Sequence, residues 1–209
     1  MADGYVSQPQ NGHQLGCGLA LVDKEHVQKL SDFVGRGTVS ISGTKGKPPL
    51  ARWGVYSQPI ITDLERWGIV SGKGTLDDAS PKGEARLGID FWRGMIDGDG
   101  SIRMNGRSPQ VTLTGRRGKS EAFIEFVVNR LQLRQSLNDF SGSRLGGFRI
   151  HEYPTGGGTK VILNGKNAVS LCKSLYANAP NGLYLQRKRN AVINMTGHYL
   201  GIDGIEKFR

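Results

Sequence analysis

The sequence predicts a mixed α/β fold of the α+β kind, in which one unit of strands and helices is used twice. Segments in which apolar and polar residues alternate are followed by amphipathic helical segments, and this order recurs in both halves of the chain. Much of the chain's glycine, 31 residues in all, stands where these segments end and indicates turns. The stretch 76–89 lacks an apolar period, so we expect it to link a first repeat, 1–75, to a second, 90–209.

Periodicity predicts the elements of the first repeat in order. Alternation over short runs indicates strands, apolar residues at helical spacing indicate helices, and proline and glycine mark where a helix opens and closes. We expect a strand from Leu15 to Leu21, a helix that Asp23 caps with Val27, Leu30, Phe33 and Val34 on one face, strands about Val39 and Trp53, and a helix that Pro59 opens and Gly68 closes.

The second repeat offers the same parts after a helix that ends near residue 100. Alternation again indicates strands, and apolar residues at helical spacing again indicate helices. We expect strands around 101–106 and 110–115, a helix carrying Phe123, Phe126, Val127 and Leu131, strands near 147–152 and 159–163, and a helix carrying Ala168, Leu171, Cys172 and Leu175.

The most informative segment runs from Phe91 to Ile102, where an apolar helical stretch leads into two acids and a glycine turn. Asp97 and Asp99 stand at its end, and Gly100 allows a close backbone approach. Carboxylate oxygens are the ligands that hard divalent cations prefer. We therefore expect this helix end to hold a divalent cation.

This segment resembles the motif of the LAGLIDADG homing endonucleases, with 92–100 in the nine motif positions. The resemblance implies that fold: two pseudo-symmetric αββαββα repeats with curved antiparallel sheets that bind DNA. It also implies that the helix is an interface, in which Gly94 and Gly98 share one face and let a second helix come close. Asp99, the last acid of the motif, would then share metal with its counterpart in the other repeat.

A shortened copy of the motif opens the chain. Asp3 and Gly4 match Asp99 and Gly100, and the same order of strands and helices follows each copy. The helix before the acid has no counterpart in the first repeat, because Met1 stands at the sixth motif position. Three explanations stay open: a start farther upstream, a chain made in frame with a preceding exon or host segment, or a decayed copy.

The charge balance favours a nucleic-acid partner. The formal charge is +10 and the pI is near 9.8. Residues 1–90 carry ten Lys or Arg and ten Asp or Glu, whereas residues 91–209 carry eighteen and eight, so the second repeat holds the whole excess. A basic excess beside polar strand faces favours a polyphosphate.

Cysteine usage and hydropathy indicate the cellular compartment. Cys17 and Cys172 lie far apart without partners at ligand spacing, so we expect small core residues in a reducing compartment. No apolar run approaches the roughly 20 residues of a membrane span, and the first residues do not form a secretory signal. We expect a cytoplasmic protein with no membrane partner, from a bacterial or phage-infected host rather than an organelle.

Strand alternation puts polar side chains on one face of each predicted sheet. Arginine can fork to guanine, and asparagine or glutamine can fork to adenine, so we expect these faces to read bases in double-stranded DNA. The face of the first repeat is polar but hardly basic, so we expect it to bind DNA more through hydrogen bonds than through charge. The expected DNA-binding residues are Ser101, Arg103, Asn105, Arg107, Gln110, Thr112, Thr114, Arg116 and Arg149 in the second repeat, and Arg36, Thr38 and Ser40 in the first.

On the family's pattern, catalysis needs little besides Asp3, Asp99, metal and ordered water. The resemblance implies Mg²⁺, with Mn²⁺ as a substitute, bound by these two acids. A basic residue near each scissile phosphate would stabilise charge in the transition state. By the positions that such residues often fill in the family, we nominate Lys73 and Lys188 as catalytic residues.

The resemblance implies a site-specific homing endonuclease that makes double-strand breaks in DNA by metal-dependent phosphodiester hydrolysis, acting as a monomer. Two alternatives stay open. One is a non-cleaving nucleic-acid binder of the same fold, an intron maturase or a DNA-binding regulator, for which intron RNA would be a partner. The other is a homodimer in which the complete helix of the second repeat pairs with itself.

Overall fold

The computed structural model describes residues 4–7, 14–43, 45–69, 82–83, 88–132, 144–145, 148–152, 158–179 and 182–200. Within these residues the chain forms nine strands and six α-helices. The strands are β1 (Gly4–Ser7), β2 (Gln14–Ala20), β3 (Thr38–Ser42), β4 (Leu50–Tyr56), β5 (Gly100–Asn105), β6 (Ser108–Arg116), β7 (Arg144–Leu145), β8 (Phe148–Glu152) and β9 (Gly158–Asn164). The helices are α1 (Lys24–Val34), α2 (Gln58–Arg66), α3 (Ile89–Asp99), α4 (Arg117–Leu131), α5 (Gly165–Tyr176) and α6 (Gln186–Leu200).

The two sheets have one topology. The first sheet has the order β1-β2-β4-β3, and the second has the order β5-β6-β9-β8 with the short β7 added at its edge. Every pairing is antiparallel. Because the strands of each half pair in the same order, and a helix follows the second and the last strand of each sheet, the predicted repeat of one unit is confirmed.

Local sequence explains where the elements begin and end. Gly35 ends α1 in the left-handed conformation, with φ of 71°, and its N–H is donated to the carbonyls of Ser31 and Asp32. Pro59 lies in the first turn of α2, where its missing N–H costs no helical hydrogen bond. The expected helices and strands of both repeats are therefore found within a few residues of their predicted limits.

Two expectations about particular side chains are wrong. Arg107 lies in the two-residue turn between β5 and β6 rather than on the strand face, because Gly106, with φ of 59°, turns the chain after Asn105. Asp23 precedes α1, but its side chain makes no capping hydrogen bond and binds Arg187 of α6 instead. A distant guanidinium has thus replaced the helix terminus as its partner.

Each half has its own core. In the second half Trp92 of α3 packs on Phe123 and Phe126 of α4, with ring centroids 5.1 and 5.8 Å apart. In the first half Trp53 of β4 packs with Val27 of α1 and their neighbours. Cys172 is buried in the second core and Cys17 packs against the first, as expected, and the two do not form a disulfide.

The halves are joined by residues that cross between them. Leu185, just before α6, is 1% exposed and belongs to the core of the first half. The Arg187 guanidinium donates to the Asp23 carboxylate at 3.0 Å, across 164 residues of sequence. The described helices are all too short or too polar to cross a bilayer.

Candidate functional site

Asp99 stands at the last position of α3, where the chain passes directly into β5. Its side chain is 35% exposed, and its Oδ2 accepts a hydrogen bond from the Lys119 ammonium at 2.8 Å. A carboxylate at the C-terminal end of a helix lies in the negative field of the helix dipole, so it gains from a nearby cation. Asp99 is therefore the accessible acid of the expected metal-binding helix end.

Lys119 is positioned by the first turn of α4 and by the glycine that precedes it. Its side chain is 17% exposed and crosses over Gly115, where a Cβ would overlap the lysine Cε. The absence of a side chain at Gly115 thus lets the ammonium reach Asp99. Sequence reasoning missed Lys119, because the contact joins residues twenty positions apart through tertiary packing.

Asp97 has a different environment although it stands only two residues away. It is 5% exposed, and its oxygens accept hydrogen bonds from the Tyr176 hydroxyl at 2.6 Å and from the Leu185 amide at 3.0 Å. Burial raises the pKa of Asp97 to about 6, against the opposing effect of these two donors. Asp97 therefore fastens α3 to the chain that leads into α6, and Asp99 is left to face solvent.

Lys188 lies beneath this helix end. It is 7% exposed, and its ammonium donates to the carbonyl of Gly100, the first residue of β5. Lys188, distant in sequence, thus binds the residue that follows Asp99 and holds the junction of α3 and β5. The expected catalytic residues Asp3 and Lys73 lie outside the described residues, so the pairing of Asp3 with Asp99 stays a prediction.

The glycine face of α3 opens on an apolar cleft of about 440 Å³ between the two halves. Gly94 and Gly98 both line it, and a Cβ built on Gly94 would meet no described atom within 4 Å. The opposite wall belongs to the first half and includes Leu15, Trp53 and Phe33. The glycine face of α3, where we expected a second helix to pack, therefore faces this cleft, and no described helix packs against Gly94.

The polar face of the second sheet is formed in rows across its strands. Arg103, Gln110 and Asn164 are in register on β5, β6 and β9, and Thr114 is in register with Lys160. Thr114 and Arg103 are exposed, as expected, whereas Gln110 and Thr112 are 6% and 5% exposed. Two side chains of the expected base-reading face are therefore buried, because β6 lies between β5 and β9 and the neighbouring side chains cover it.

The remaining expected contacts lie at the ends of strands or on the first sheet. Ser101 and Asn105 belong to β5, Arg116 ends β6 before α4, and Arg149 occupies β8 opposite Ile162. On the first sheet Arg36 precedes β3, and Thr38 and Ser40 are exposed on it. Lys160 and Asn164 were missed, although their alternation with buried Val161 and Leu163 is a signal that would have found them.

The donor set around Asp99 fits one kind of metal site. The described residues contain no group of three or more His, Cys, Asp or Glu that could enclose an ion. Mg²⁺ usually keeps several waters and binds through one or two carboxylates together with phosphate oxygens of a substrate. A single accessible acid at the edge of a polar sheet therefore fits a Mg²⁺ that is shared with a bound polyphosphate.

Solved structures with the same fold span this chain. The LAGLIDADG meganuclease I-AabMI bound to uncleaved DNA has a TM-score of 0.56 and 12% identity, over 99% of this chain and 91% of that one. I-SmaMI bound to an uncleaved DNA target in the presence of calcium ions has a TM-score of 0.50 and 11% identity, over 100% and 93%. The full-length DUF199/WhiA from Thermatoga maritima has a TM-score of 0.50 and 14% identity, over 92% of this chain and 55% of that one. No protein-family model matches the chain, and no curated protein matches it by sequence.

Proposed function

Because the chain has the LAGLIDADG meganuclease fold, we propose that it is a site-specific DNA endonuclease of the homing type, which makes double-strand breaks by metal-dependent phosphodiester hydrolysis. One observation carries the proposal. Asp99 is accessible at the end of α3 and passes directly into β5, whose polar side chains form the edge of the sheet face. A duplex lying on that face would bring its phosphates towards the acid.

The chain's own residues divide the chemistry between them. Asp99 would hold a Mg²⁺, or Mn²⁺ in its place, which when bound supplies an activated water and stabilises the leaving oxygen. Lys119 donates to Asp99 and would offset the negative charge that grows on the scissile phosphate. Lys188 would act as a positioning residue, because it holds the carbonyl of Gly100 and with it the turn that aims Asp99.

The first half would supply the second acid and the second cation. Asp3 is proposed as the partner of Asp99 in holding metal, and Lys73 as the basic residue for the other strand. Two strands of a duplex need two sets of groups, and the shared topology of the sheets supports two equivalent ends of one DNA-binding surface. The basic excess of the second half and the nearly neutral first half favour an asymmetric target.

Capture of cleaved ends from a randomised plasmid library tests this function. The purified chain is incubated with the library and Mg²⁺, and the new double-strand ends are sequenced. We expect one family of long sites in the wild type. Asp99→Asn should give no ends and still retard the selected duplex, because its amide cannot hold the cation but leaves the sheet face unchanged. Asp63→Asn, an exposed acid of α2 paired with Arg66, is the control and should cut normally.

A non-cleaving binder of the same fold is the second candidate. It is favoured by the Lys119 ammonium, which already neutralises Asp99, and by the likeness to DUF199/WhiA, which shows that the fold is not confined to proteins described as meganucleases. Tight, sequence-selective binding without ends in either Mg²⁺ or Mn²⁺ would favour a DNA-binding regulator. Selection of a structured intron RNA over duplex DNA would instead favour a maturase.

The oligomeric state separates the monomer from the homodimer. A monomer uses the cleft beside Gly94 within one chain, whereas a homodimer would bring the glycine face of α3 against its own copy. Sedimentation of the active chain with its selected duplex decides between them. We expect one chain per duplex, and two chains per duplex would support the homodimer.

A further inference from the structure

The polar face of the second sheet contains a row of three side chains in direct hydrogen bonds. Arg103 donates from Nε and Nη2 to Oε1 of Gln110, at 3.1 and 2.9 Å. Gln110 in turn donates from Nε2 to Oδ1 of Asn164 at 3.0 Å. The three residues lie opposite one another on β5, β6 and β9. This Arg103–Gln110–Asn164 row therefore crosses three neighbouring strands.

The row has one direction of donation. A guanidinium can only donate, so the amide of Gln110 must turn its oxygen towards Arg103 and its NH₂ towards Asn164. Asn164 must then present its oxygen to Gln110. The orientation of both amides thus follows from the arginine, and each side chain holds the next in place.

Asn164 makes this bond in place of another that its position would favour. It is the residue before the first turn of α5, where an asparagine side chain commonly accepts a hydrogen bond from the helix N-terminus. Here its side chain makes no such capping bond. Its oxygen is committed to Gln110, which is only 6% exposed. The middle of the row is therefore buried and Asn164 at one end is half-buried, while Arg103 at the other end is exposed.

We infer that Gln110 and Asn164 are positioning residues that hold Arg103 as a fixed reader of one guanine in the DNA target; the inference rests on the proposed function. Two of the five guanidinium N–H groups are used by Gln110, which leaves three in the described structure, including the end-on pair that can fork to guanine O6 and N7. An arginine that is already oriented loses less side-chain freedom when it binds. Gln110, which the sequence suggested as a base reader, acts through Arg103 instead.

Base preference in a binding selection tests the row. The full chain is selected on a randomised duplex in Ca²⁺, and the preferred base at each position is counted. Arg103→Ala should lose a preference for guanine at a single position, by roughly 5- to 150-fold. Asn164→Ala and Gln110→Leu should weaken the preference at that same position and leave the others as they were. The double variant Arg103→Ala, Asn164→Ala should lose no more than Arg103→Ala alone.

Two further variants separate positioning from folding. Asn164→Asp keeps an oxygen that accepts from Gln110 and should retain the guanine preference, whereas Asn164→Ala should weaken it while the variant stays folded at the temperature of the selection. Lys160→Ala, on the same sheet face, should weaken binding to all sequences alike. An unchanged guanine preference in Asn164→Ala, or an equal loss of preference at every position, would contradict the positioning role of Gln110 and Asn164. If the wild type selects no duplex, the proposed function itself is wrong, and the assignment of Arg103 as a guanine reader is wrong with it.

Discussion

The Lys119 ammonium lies 2.8 Å from Oδ2 of Asp99, so the acid proposed to hold metal already carries a cationic partner from its own chain. The Lys119 side chain passes over Gly115 to reach Asp99, and both groups are partly accessible. A divalent cation bound to Asp99 would have to share this oxygen with the lysine or displace it. The pair therefore links two properties of the site, its affinity for metal and the charge it offers to a phosphate.

Lys119→Met is expected to separate these two properties. Loss of the ammonium should lower the maximal rate of cleavage on the order of 100-fold, the typical effect of removing one charge-stabilising donor. It should also lower the Mg²⁺ concentration that gives half of the maximal rate, because Oδ2 loses its competing donor. A Mg²⁺ titration of the cleavage rate measures both.

Gly115→Ala should reproduce part of this effect, since its Cβ would push the Lys119 stem away from Asp99. The control is Lys29→Met, which removes a partly exposed lysine paired with Glu25 on α1 and should leave both quantities unchanged. A wild-type rate and a wild-type Mg²⁺ midpoint in Lys119→Met would exclude the lysine from the site.

Two glycines of the α3 region should respond in opposite ways to alanine. A Cβ on Gly94 would face the open cleft, so Gly94→Ala should raise the free energy of unfolding by about 0.5–1 kcal/mol through helix propensity. A Cβ on Gly100 would lie 2.6 Å from the Ile96 carbonyl oxygen, so Gly100→Ala should lower it by about 1–3 kcal/mol. Urea unfolding of the two variants measures the difference.

A loss of stability in Gly94→Ala comparable to that in Gly100→Ala would contradict the open cleft. It would mean that another segment or a second copy of the chain lies against Gly94 in solution. Repeating the unfolding at several protein concentrations then distinguishes these cases, because only a contact between copies depends on concentration.

Asp97 should make the stability of the chain fall between pH 4 and pH 7. Its folded pKa is raised to about 6 by burial, from 3.8, so over this range the folded state binds more protons than the unfolded state. Stability contributed by the protonated acid is present below pH 4 and is lost as the pH rises through 6. Asp97→Asn should remove this loss, so that the variant gains about 2–3 kcal/mol on the wild type from pH 4 to pH 7.

Chemical unfolding at several pH values measures this difference between the two proteins. Asp63→Asn is the matched control, because its carboxylate is exposed and its pair with Arg66 contributes little. Parallel curves of stability against pH for Asp97→Asn and the wild type would show that the buried acid is not the source of the effect.

The topology could be predicted from sequence because both halves repeat the same periodic pattern. The alternation in β5 and β9 and the helical spacing in α4 are local signals. The strands and the helix form where these signals predict them. The site depends on packing between distant segments. Asp97 and Asp99 look alike in sequence, and only the contacts with Tyr176 and Lys119 assign one to the interior and the other to solvent.

Asp23 illustrates the same limit. Its position before α1 predicts a helix cap, and Asp23 does occupy the N-cap position, but its side chain makes no capping hydrogen bond. The guanidinium of Arg187 offers a charged partner at 3.0 Å and takes the carboxylate instead. A tertiary contact across the two halves has overridden a local preference, and no pattern within either segment signals it.

Leu185 should couple the unfolding of the two halves. Its side chain is buried in the core of the first half, while its amide is bound to Asp97 of α3 in the second. Leu185→Ala should lower the free energy of unfolding by about 2–5 kcal/mol and weaken this coupling. Trp53 and Trp92 lie in the two separate cores, so each can report the unfolding of one half.

With Trp67 replaced by Phe throughout, fluorescence of variants that keep only Trp53 or only Trp92 measures the coupling. In the wild-type background the two urea midpoints should coincide, and in Leu185→Ala they should separate. Val27→Ala, a deletion in the first core that leaves Leu185 in place, should lower both midpoints together. Separate midpoints already in the wild-type background would show that the halves unfold independently, and coincident midpoints in Leu185→Ala would assign the coupling to other contacts such as the Asp23–Arg187 pair.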